Sequence, residues 1–334
     1  MSENVQIRFI KPVTGPVTPE HFAIEYAPVP APRDGEFIVQ NVFLSLDPYQ
    51  RRQMMPGVHY AQPLRVGDVM VGRTMGRVVE SRHAGYAAGD WVRCSLGWQS
   101  FSLCDGKHAE KIELDGFAAS LYLGILGSPG ITAWVGLRHV ANVRAGETVV
   151  ISAATGAVGS VAVRLAKSTG CRVVGIAGGP RKCAFAVESL GYDACVDYQA
   201  DDFPGLLARA TPAGVDVDFE NVGGPVFDSV IARLNQSARV ALCGLVSQYN
   251  LREPYGMRNI AELLNQNVML QGFRVGNYAS CREAALAELK ERLRKGEMAV
   301  HETITDGLAN APSAFAAMFS GAHLGKALVR IGES

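Results

Sequence analysis

The residues best suited to chemistry lie between Val149 and Gly170, in the run V-V-I-S-A-A-T-G-A-V-G-S-V-A-V-R-L-A-K-S-T-G. Gly156 and Gly159 sit in a turn between a β-branched run and a segment of helical periodicity. That order suits the binding of a pyrophosphate. Gly156 lets the backbone come close to the anion, and Gly159 lets helix and strand pack closely. The helix N-terminus then points free N–H groups and the positive end of its dipole at the negative charge. Ala154 stands where a full G-x-G-x-x-G has its first glycine, so the motif is short of the complete fingerprint. The alternative is a plain strand–helix turn with no ligand. Strand, turn, helix and second strand following in order favour the dinucleotide reading, with Gly156, Ala157, Val158 and Gly159 at its centre.

A site for a free ribose 2′-hydroxyl places an acidic residue about twenty positions further on. The segment there is A-G-G-P-R-K-C, Ala177 to Cys183, and it has no Asp or Glu. Gly178 and Gly179 leave room, and Arg181 and Lys182 follow. Missing negative charge with cations nearby suits a 2′-phosphate, and so NADP(H). Both cations could instead be solvated residues at a helix start, but there they would oppose the helix dipole.

These residues need elements to hold them. Thr148 to Ala153, Arg172 to Ala177, Ala194 to Asp197, Val215 to Glu220 and Val240 to Leu245 read as strands. Val158 to Thr169, Arg181 to Leu190 and Pro225 to Asn235 read as helices between them. Alternation at this spacing predicts a doubly wound parallel sheet. The first third differs. Glu36 to Leu44, Val69 to Glu80 and Trp91 to Leu96 are short strand-like runs between Pro- and Gly-bearing turns, which predicts a small β-rich unit. The tail carries a short helix, Ser313 to Phe319, and a strand, Lys326 to Ile331, expected to return to that unit.

Composition narrows the function classes. At 334 residues the chain fits two domains, and with 48% hydrophobic and 19% charged residues it can bury a large core. Thirty-two basic and thirty-two acidic residues leave no electrostatic footprint for nucleic acid or for anionic lipid. The start shows no secretory signal. The apolar stretch Ala118 to Leu137 is broken by Gly124, Gly127, Pro129 and Gly130, and reads as two packed helices rather than a membrane span. Seven scattered cysteines without a C-x-x-C pair read as free thiols in a reducing cytosol, so a cytoplasmic location is expected. The seven histidines show no ligand spacing, and no metal site is expected.

The glycine loop, A-G-G-P-R-K-C, V-D-F-E-N-V-G-G (Val217 to Gly224) and C-G-L-V-S-Q-Y-N (Cys243 to Asn250) together resemble the medium-chain dehydrogenase/reductase superfamily. L-S-L-D-P-Y-Q-R, Leu44 to Arg51, resembles its zinc-free branch of leukotriene/prostaglandin reductases, alkenal double-bond reductases and curcumin reductases. The resemblance runs over nearly the whole chain. It implies an α/β architecture with a GroES-like catalytic domain over residues 1–122, to which 298–334 return, and a Rossmann domain over 123–297. It also implies a homodimer. Gly179, Lys182 and Tyr198 would meet the 2′-phosphate region. Asn221 and the segment with Cys243, Gly244, Ser247, Tyr249 and Asn250 would line the adenosine and ribose path. Phe273 and Val275 would pass the nicotinamide, and His323 would stand against it. Arg274 replaces a usual aliphatic residue and His323 a usual Asn, and both bear on substrate choice. The zinc branch's G-H-E segment is Gly72-Arg73-Thr74 here, its early ligand cysteine gives way to Leu46-Asp47-Pro48, and its four-cysteine lobe is absent.

The implied activity is NADPH-dependent reduction of the C=C bond of an enone or enal. Charge developing on the carbonyl oxygen needs a donor. Tyr49 in D-P-Y is the first candidate, the cofactor ribose hydroxyl is a second, and Tyr255 in R-E-P-Y-G sits in a loop that could close over substrate. Tyr49 could equally serve its turn structurally. Substrate choice would depend on loops around Tyr60, Trp98 and 256–259. A quinone oxidoreductase of the same superfamily, and a non-catalytic NADPH-binding protein, are the competing readings.

Overall fold

The computed structural model describes residues 3–55 and 63–332, so Tyr60 lies outside the described residues. The chain divides into two units, one of 1–123 with 302–334 and one of 124–301.

The first unit is β-rich. Glu3–Phe9 pairs antiparallel with Phe22–Pro28. A seven-stranded sheet is built around Phe37–Ser45, which pairs antiparallel with Thr74–Ser81, Phe101–Cys104 and Lys326–Arg330. Thr74–Ser81 continues to Trp91–Cys94 and then Ala109–Lys111. Lys326–Arg330 also pairs in parallel with Glu302–Asp306, so the C-terminal tail returns to this unit. Trp98 is fully buried in its core, stacked on Phe22 at 5.5 Å and met edge-on by Phe315 at 5.4 Å. Its ring therefore fills the core. Gly72 makes room for it, since a Cβ there would fall 2.7 Å from the indole.

The second unit is a six-stranded, wholly parallel sheet. Its spatial order is Ala194–Asp197, Arg172–Ala177, Thr148–Ser152, Val215–Glu220, Leu234–Leu242, Met269–Gly272. Val149, Val150, Val174, Val217 and Phe219 are fully buried, as expected of strands covered on both faces. The intervening helices include Gly159–Ser168, Pro180–Phe185 and Gly224–Ile231. The second of these widens into a π-helical turn over Ala186–Leu190 and stops at Gly191, whose φ is +88°.

Several boundaries differ from the sequence expectation; the run expected from Val69 becomes a strand only at Thr74, and the strand expected to reach Leu245 ends at Leu242. The helix expected to reach Asn235 ends at Ile231, and the strand expected from Val240 begins at Leu234. Polar Asn235, Gln236 and Ser237 open that strand, and Ser237 takes φ +61°, so its first half lacks a strand-like apolar pattern. The apolar stretch Ala118 to Leu137 contains a 3-10 turn, Ala119–Leu123, and a helix, Ser128–Trp134. Among the described residues, no helix is long and apolar enough to cross a membrane.

Candidate functional site

The strand order places a topological switch point between Thr148–Ser152 and Val215–Glu220. The chain leaves the first strand toward Arg172–Ala177 on one side and the second toward Leu234–Leu242 on the other. In open parallel sheets, ligands bind in the crevice beyond the carboxyl ends of strands that part this way. The two strand ends are tied together there. The Asn221 amide donates to Ser152 Oγ at 2.7 Å, and Asn221 Nδ2 donates to the Ser152 carbonyl at 2.8 Å.

The glycine turn leaves the first strand at this point. Ala153 takes φ +50°, and its carbonyl accepts from the Gly156 amide at 2.9 Å. A Cβ on Gly159 would lie 2.6 Å from that carbonyl and 2.7 Å from the one on Ala154, so only glycine brings the helix this close to the turn. A Cβ on Gly156 would lie 3.2 Å from the Ala153 carbonyl, a tighter fit than most side chains adopt. Buried Tyr192 reinforces the bend, its hydroxyl 2.9 Å from the Gly159 carbonyl and 3.1 Å from that of Ala154. Among the described residues the backbone bonds of this turn leave out the amides of Val158 and Gly159. Donors at the start of a ten-residue helix are suited to the oxygens of a pyrophosphate.

The neighbouring strand ends in Gly178 and Gly179. A Cβ on Gly178 would fall 2.9 Å from the ring of Tyr198, so that ring covers the Gly178 backbone. Gly179, at φ +85°, turns the chain into Pro180–Phe185, which carries Arg181 and Lys182. An acid is present nearby after all. Asp197 ends the next strand, but its Oδ1 accepts from the amides of Gly179 at 2.8 Å and Gln199 at 2.9 Å. It braces the turn, and Lys182 on the helix that follows is half-buried. Burial pulls the Lys182 ammonium below its ordinary pKa, and an anion beside it would reverse that.

On the other side of the switch point, Glu220 organises two segments. Its buried carboxylate accepts from the amides of Val222 and Gly223. Its backbone carbonyl accepts from those of Cys243 at 2.8 Å and Gly244 at 3.1 Å. The Ser247 hydroxyl and amide both donate to the Val222 carbonyl, at 2.6 and 3.0 Å. Tyr249 and Asn250 follow the 3-10 turn Val246–Gln248. Burial pushes the Glu220 carboxyl up to about 7 against the pull of those amides. Asp218, two residues back and also fully buried, is raised by burial and by Glu220. Phe273 is buried against Phe219 in an edge-on contact at 6.1 Å, and Val275 opens the next 3-10 turn beside exposed Arg274.

The remaining candidates fall into two groups. Tyr255 belongs to the parallel-sheet unit, where its hydroxyl donates to Asp228 Oδ2 at 2.6 Å. Asp228 also accepts from the Arg258 amide and, through its carbonyl, from Asn259 Nδ2, so it fastens the whole 255–259 loop. Tyr49 and His323 belong to the β-rich unit. Tyr49 is half-buried at the start of the helix Tyr49–Gln53, with the Arg73 guanidinium 5.8 Å from its ring centre. The turn before it is held by Asp47, which accepts from Lys326 Nζ at 2.8 Å and from Ser45 Oγ at 2.6 Å. His323 is half-buried in the turn before Lys326–Arg330. Tyr192, Asp197, Glu220, Asp228 and the Asp47–Lys326 pair were not singled out from sequence. Asp47 had a local signal in D-P-Y, whereas the others work through contacts no short motif displays.

Comparison with known proteins agrees with this geometry. A family described as the N-terminal domain of oxidoreductase matches residues 5–112, and one described as zinc-binding dehydrogenase matches 157–291. The chain is 42% identical over 323 residues to the NADPH-dependent curcumin reductase of Escherichia coli (strain K12), covering 95% of this chain and 94% of that one. It is 36% identical over 326 residues to prostaglandin reductase 1 of Sus scrofa, covering 96% and 97%. CurA from Vibrio vulnificus, solved in complex with NADPH, matches with a TM-score of 0.94 at 40% identity over 99% of this chain and 100% of that one. A Pseudomonas syringae pv. Tomato DC3000 quinone oxidoreductase shares the fold, with a TM-score of 0.77 at 22% identity. Among the described residues no three His, Cys, Asp or Glu side chains assemble a metal site, although the second family description names zinc. Matched along nearly its full length, the chain belongs to the zinc-free branch of the medium-chain dehydrogenase/reductase superfamily that holds the curcumin and prostaglandin reductases.

Proposed function

We propose that this chain is an NADPH-dependent reductase of the C=C bond of α,β-unsaturated ketones and aldehydes. The observation that carries the reading is the switch-point glycine turn, with the amides of Val158 and Gly159 at a helix start and the Gly178–Gly179 turn beside it, where Asp197 is committed to backbone amides and Lys182 follows. The names of the curcumin and prostaglandin reductases support the reaction class and the cofactor.

Bound NADPH supplies the hydride for the β-carbon. The chain's own groups do the rest. The amides of Ala157, Val158 and Gly159 hold the pyrophosphate, and Lys182 with Tyr198 holds the 2′-phosphate. Asn221, Cys243, Gly244, Ser247, Tyr249 and Asn250 line the ribose path, with Phe273, Val275 and His323 near the nicotinamide. Tyr49 donates to the carbonyl oxygen as it takes up enolate charge, and water protonates the α-carbon. Tyr255, tied to Asp228, holds the loop over the substrate. The β-rich unit then serves as the catalytic domain, and the protein works as a cytoplasmic homodimer on a small-molecule substrate.

Purified protein mixed with NADPH and an aromatic enone should lose the reduced-nicotinamide absorbance and yield the saturated ketone, with NADH much slower. A clear preference for a benzoquinone would instead make the chain a quinone oxidoreductase. NADPH binding without turnover of either acceptor would leave a non-catalytic binding protein.

A further inference from the structure

Arg73 is a cation to which the proposed reaction gives no task. It is the middle residue of Gly72-Arg73-Thr74 and stands just before the strand Thr74–Ser81. Its backbone is fixed from two sides. The Arg73 carbonyl accepts from the Ser45 amide at 2.8 Å, and Gly72 before it is packed against the Trp98 indole. The residue is half-buried, and its guanidinium lies 5.8 Å from the centre of the Tyr49 ring.

Among the described residues that guanidinium makes no hydrogen bond and no ion pair. Asp47 feels its charge but is already engaged. Oδ1 of Asp47 accepts from Lys326 Nζ at 2.8 Å, and Oδ2 accepts from Ser45 Oγ at 2.6 Å. Lys326 thus balances Asp47, and the charge on Arg73 is surplus. The aromatic ring attracts the cation but offers its N–H groups no oxygen. Donors drawn out of bulk water and left unanswered cost free energy, and an anion that meets them recovers it. The planar guanidinium fork matches one anion shape best, the two oxygens of a carboxylate.

We infer that Arg73 is a specificity-determining residue that binds a carboxylate on the substrate, so that the protein favours enones with a carboxylate close to the ketone. The inference rests on Tyr49 as the group that holds the carbonyl oxygen. With that oxygen on the Tyr49 hydroxyl, a guanidinium 5.8 Å from the same ring reaches an anion only a few bonds away. A 4-oxo-2-enoate has this form, since ketone, C=C bond and carboxylate follow one another. Hydride reaches the alkene carbon beside the carboxylate, and the C=C electron pair moves onto the ketone oxygen. A proton from water on the other alkene carbon then gives the saturated 4-oxo acid, and NADPH leaves as NADP+. The carboxylate is unchanged throughout and serves as the handle.

The test compares trans-3-benzoylacrylate with its primary amide, which share the ketone and the C=C bond and differ in charge. Their intrinsic reactivities are the same for every variant, so a change in the acid-to-amide ratio of kcat/KM reports the protein alone. From the parent to Arg73→Gln that ratio should fall by about ten-fold or more, chiefly through the KM for the acid. Arg73→Lys keeps the charge and should recover part of the ratio. An unchanged ratio in Arg73→Gln would mean that Arg73 serves the Tyr49 turn and not the substrate, and would overturn the inference. So would a lysine no better than glutamine, because charge would then not be what reads the acid. Calorimetry of 3-benzoylpropionate, the saturated acid, on the NADP+-loaded protein needs no turnover. If neither acceptor is reduced, the reductase reading fails and this binding alone decides Arg73. Weaker binding to Arg73→Gln than to the parent would uphold the carboxylate site. Equal binding, or none to the parent, would remove it.

Discussion

In the proposed NADPH site cofactor choice would turn on Lys182, because Asp197, the acid that could have served a ribose hydroxyl, is spent on two backbone amides. A charge-assisted contact to a phosphate is worth about 1.5–3 kcal/mol. Lys182→Ala should therefore raise the Kd for NADPH by roughly ten- to a hundred-fold and leave NADH binding nearly unchanged. Equal losses for both cofactors, measured by titration calorimetry, would move the 2′-phosphate elsewhere. Tyr49 makes a separate case. Removing only its hydroxyl in Tyr49→Phe should lower kcat by about ten-fold or more if that group stabilises the enolate. An unchanged kcat would leave the ribose hydroxyl as the donor. Glu220 responds to pH. Its folded pKa of about 7 lies above the ordinary Glu value, chiefly through burial, so the native state binds the proton more tightly than the unfolded chain does. The resulting stability is full below the ordinary Glu value and is lost as pH rises through about 7. Gln at this position stays neutral. Relative to the parent, Glu220→Gln should gain stability steadily from about pH 5 to about pH 8, in urea midpoints. A difference that does not change with pH would contradict that account. Lys182 could be put forward from sequence because a cation just after two glycines is a local pattern. Glu220 was not, because its role depends on which amides meet it once strands Val215–Glu220 and Leu234–Leu242 lie side by side.

At the scale of elements, the turn bearing Tyr49 is pinned from the far end of the chain. Lys326, buried, donates to the Leu46 carbonyl at 2.7 Å and to Asp47 at 2.8 Å, joining the C-terminal strand to the D-P-Y turn. Burial opposes ionisation of Asp47, but the Lys326 ammonium outweighs it and holds the carboxyl below its ordinary value. A lowered carboxyl pKa stabilises the fold above the unfolded value, and the benefit is lost as pH falls through the folded one. Breaking a buried pair from one side costs about 3–5 kcal/mol, because a charge is left without its partner. Lys326→Met should show a loss of that size in chemical denaturation near neutral pH, and adding Asp47→Asn should restore much of it. If the double variant were as unstable as the single one, Lys326 would act through packing alone. The strands Arg172–Ala177, Ala194–Asp197 and Val215–Glu220 could be read residue for residue, since each is a short apolar run bounded by turn formers. Leu234–Leu242 could not, because its polar opening looked like the end of a helix. The antiparallel partners of Phe37–Ser45 come from residues 74–104 and 326–330, and no local pattern announces such pairings.

At the scale of the whole molecule, the parallel sheet ends on Met269–Gly272, which among the described residues pairs with a neighbour on one side only. Met269 is 42% exposed, and the helix Ile260–Asn265 just before it leaves Ile260 62% and Leu264 84% exposed. Large apolar side chains gathered beside an unpaired strand edge are a liability in a lone chain and an asset in an assembly. A second copy meeting the first across this edge would pair the free backbone groups and cover the apolar side chains on both copies at once, as a two-fold interface does. The proposed dimer therefore has a stated location. Light scattering should give twice the mass of one chain. Leu264→Lys with Met269→Lys should shift the protein toward one chain, because each copy would bring unpaired charge into the contact. The glycine turn and Lys182 belong to other strand ends, so NADPH binding by the single-chain form should survive. A dimer that tolerates both lysines would place the contact elsewhere. Loss of NADPH binding together with the dimer would mean that the sheet edge, and not the switch point alone, keeps the cofactor site in order.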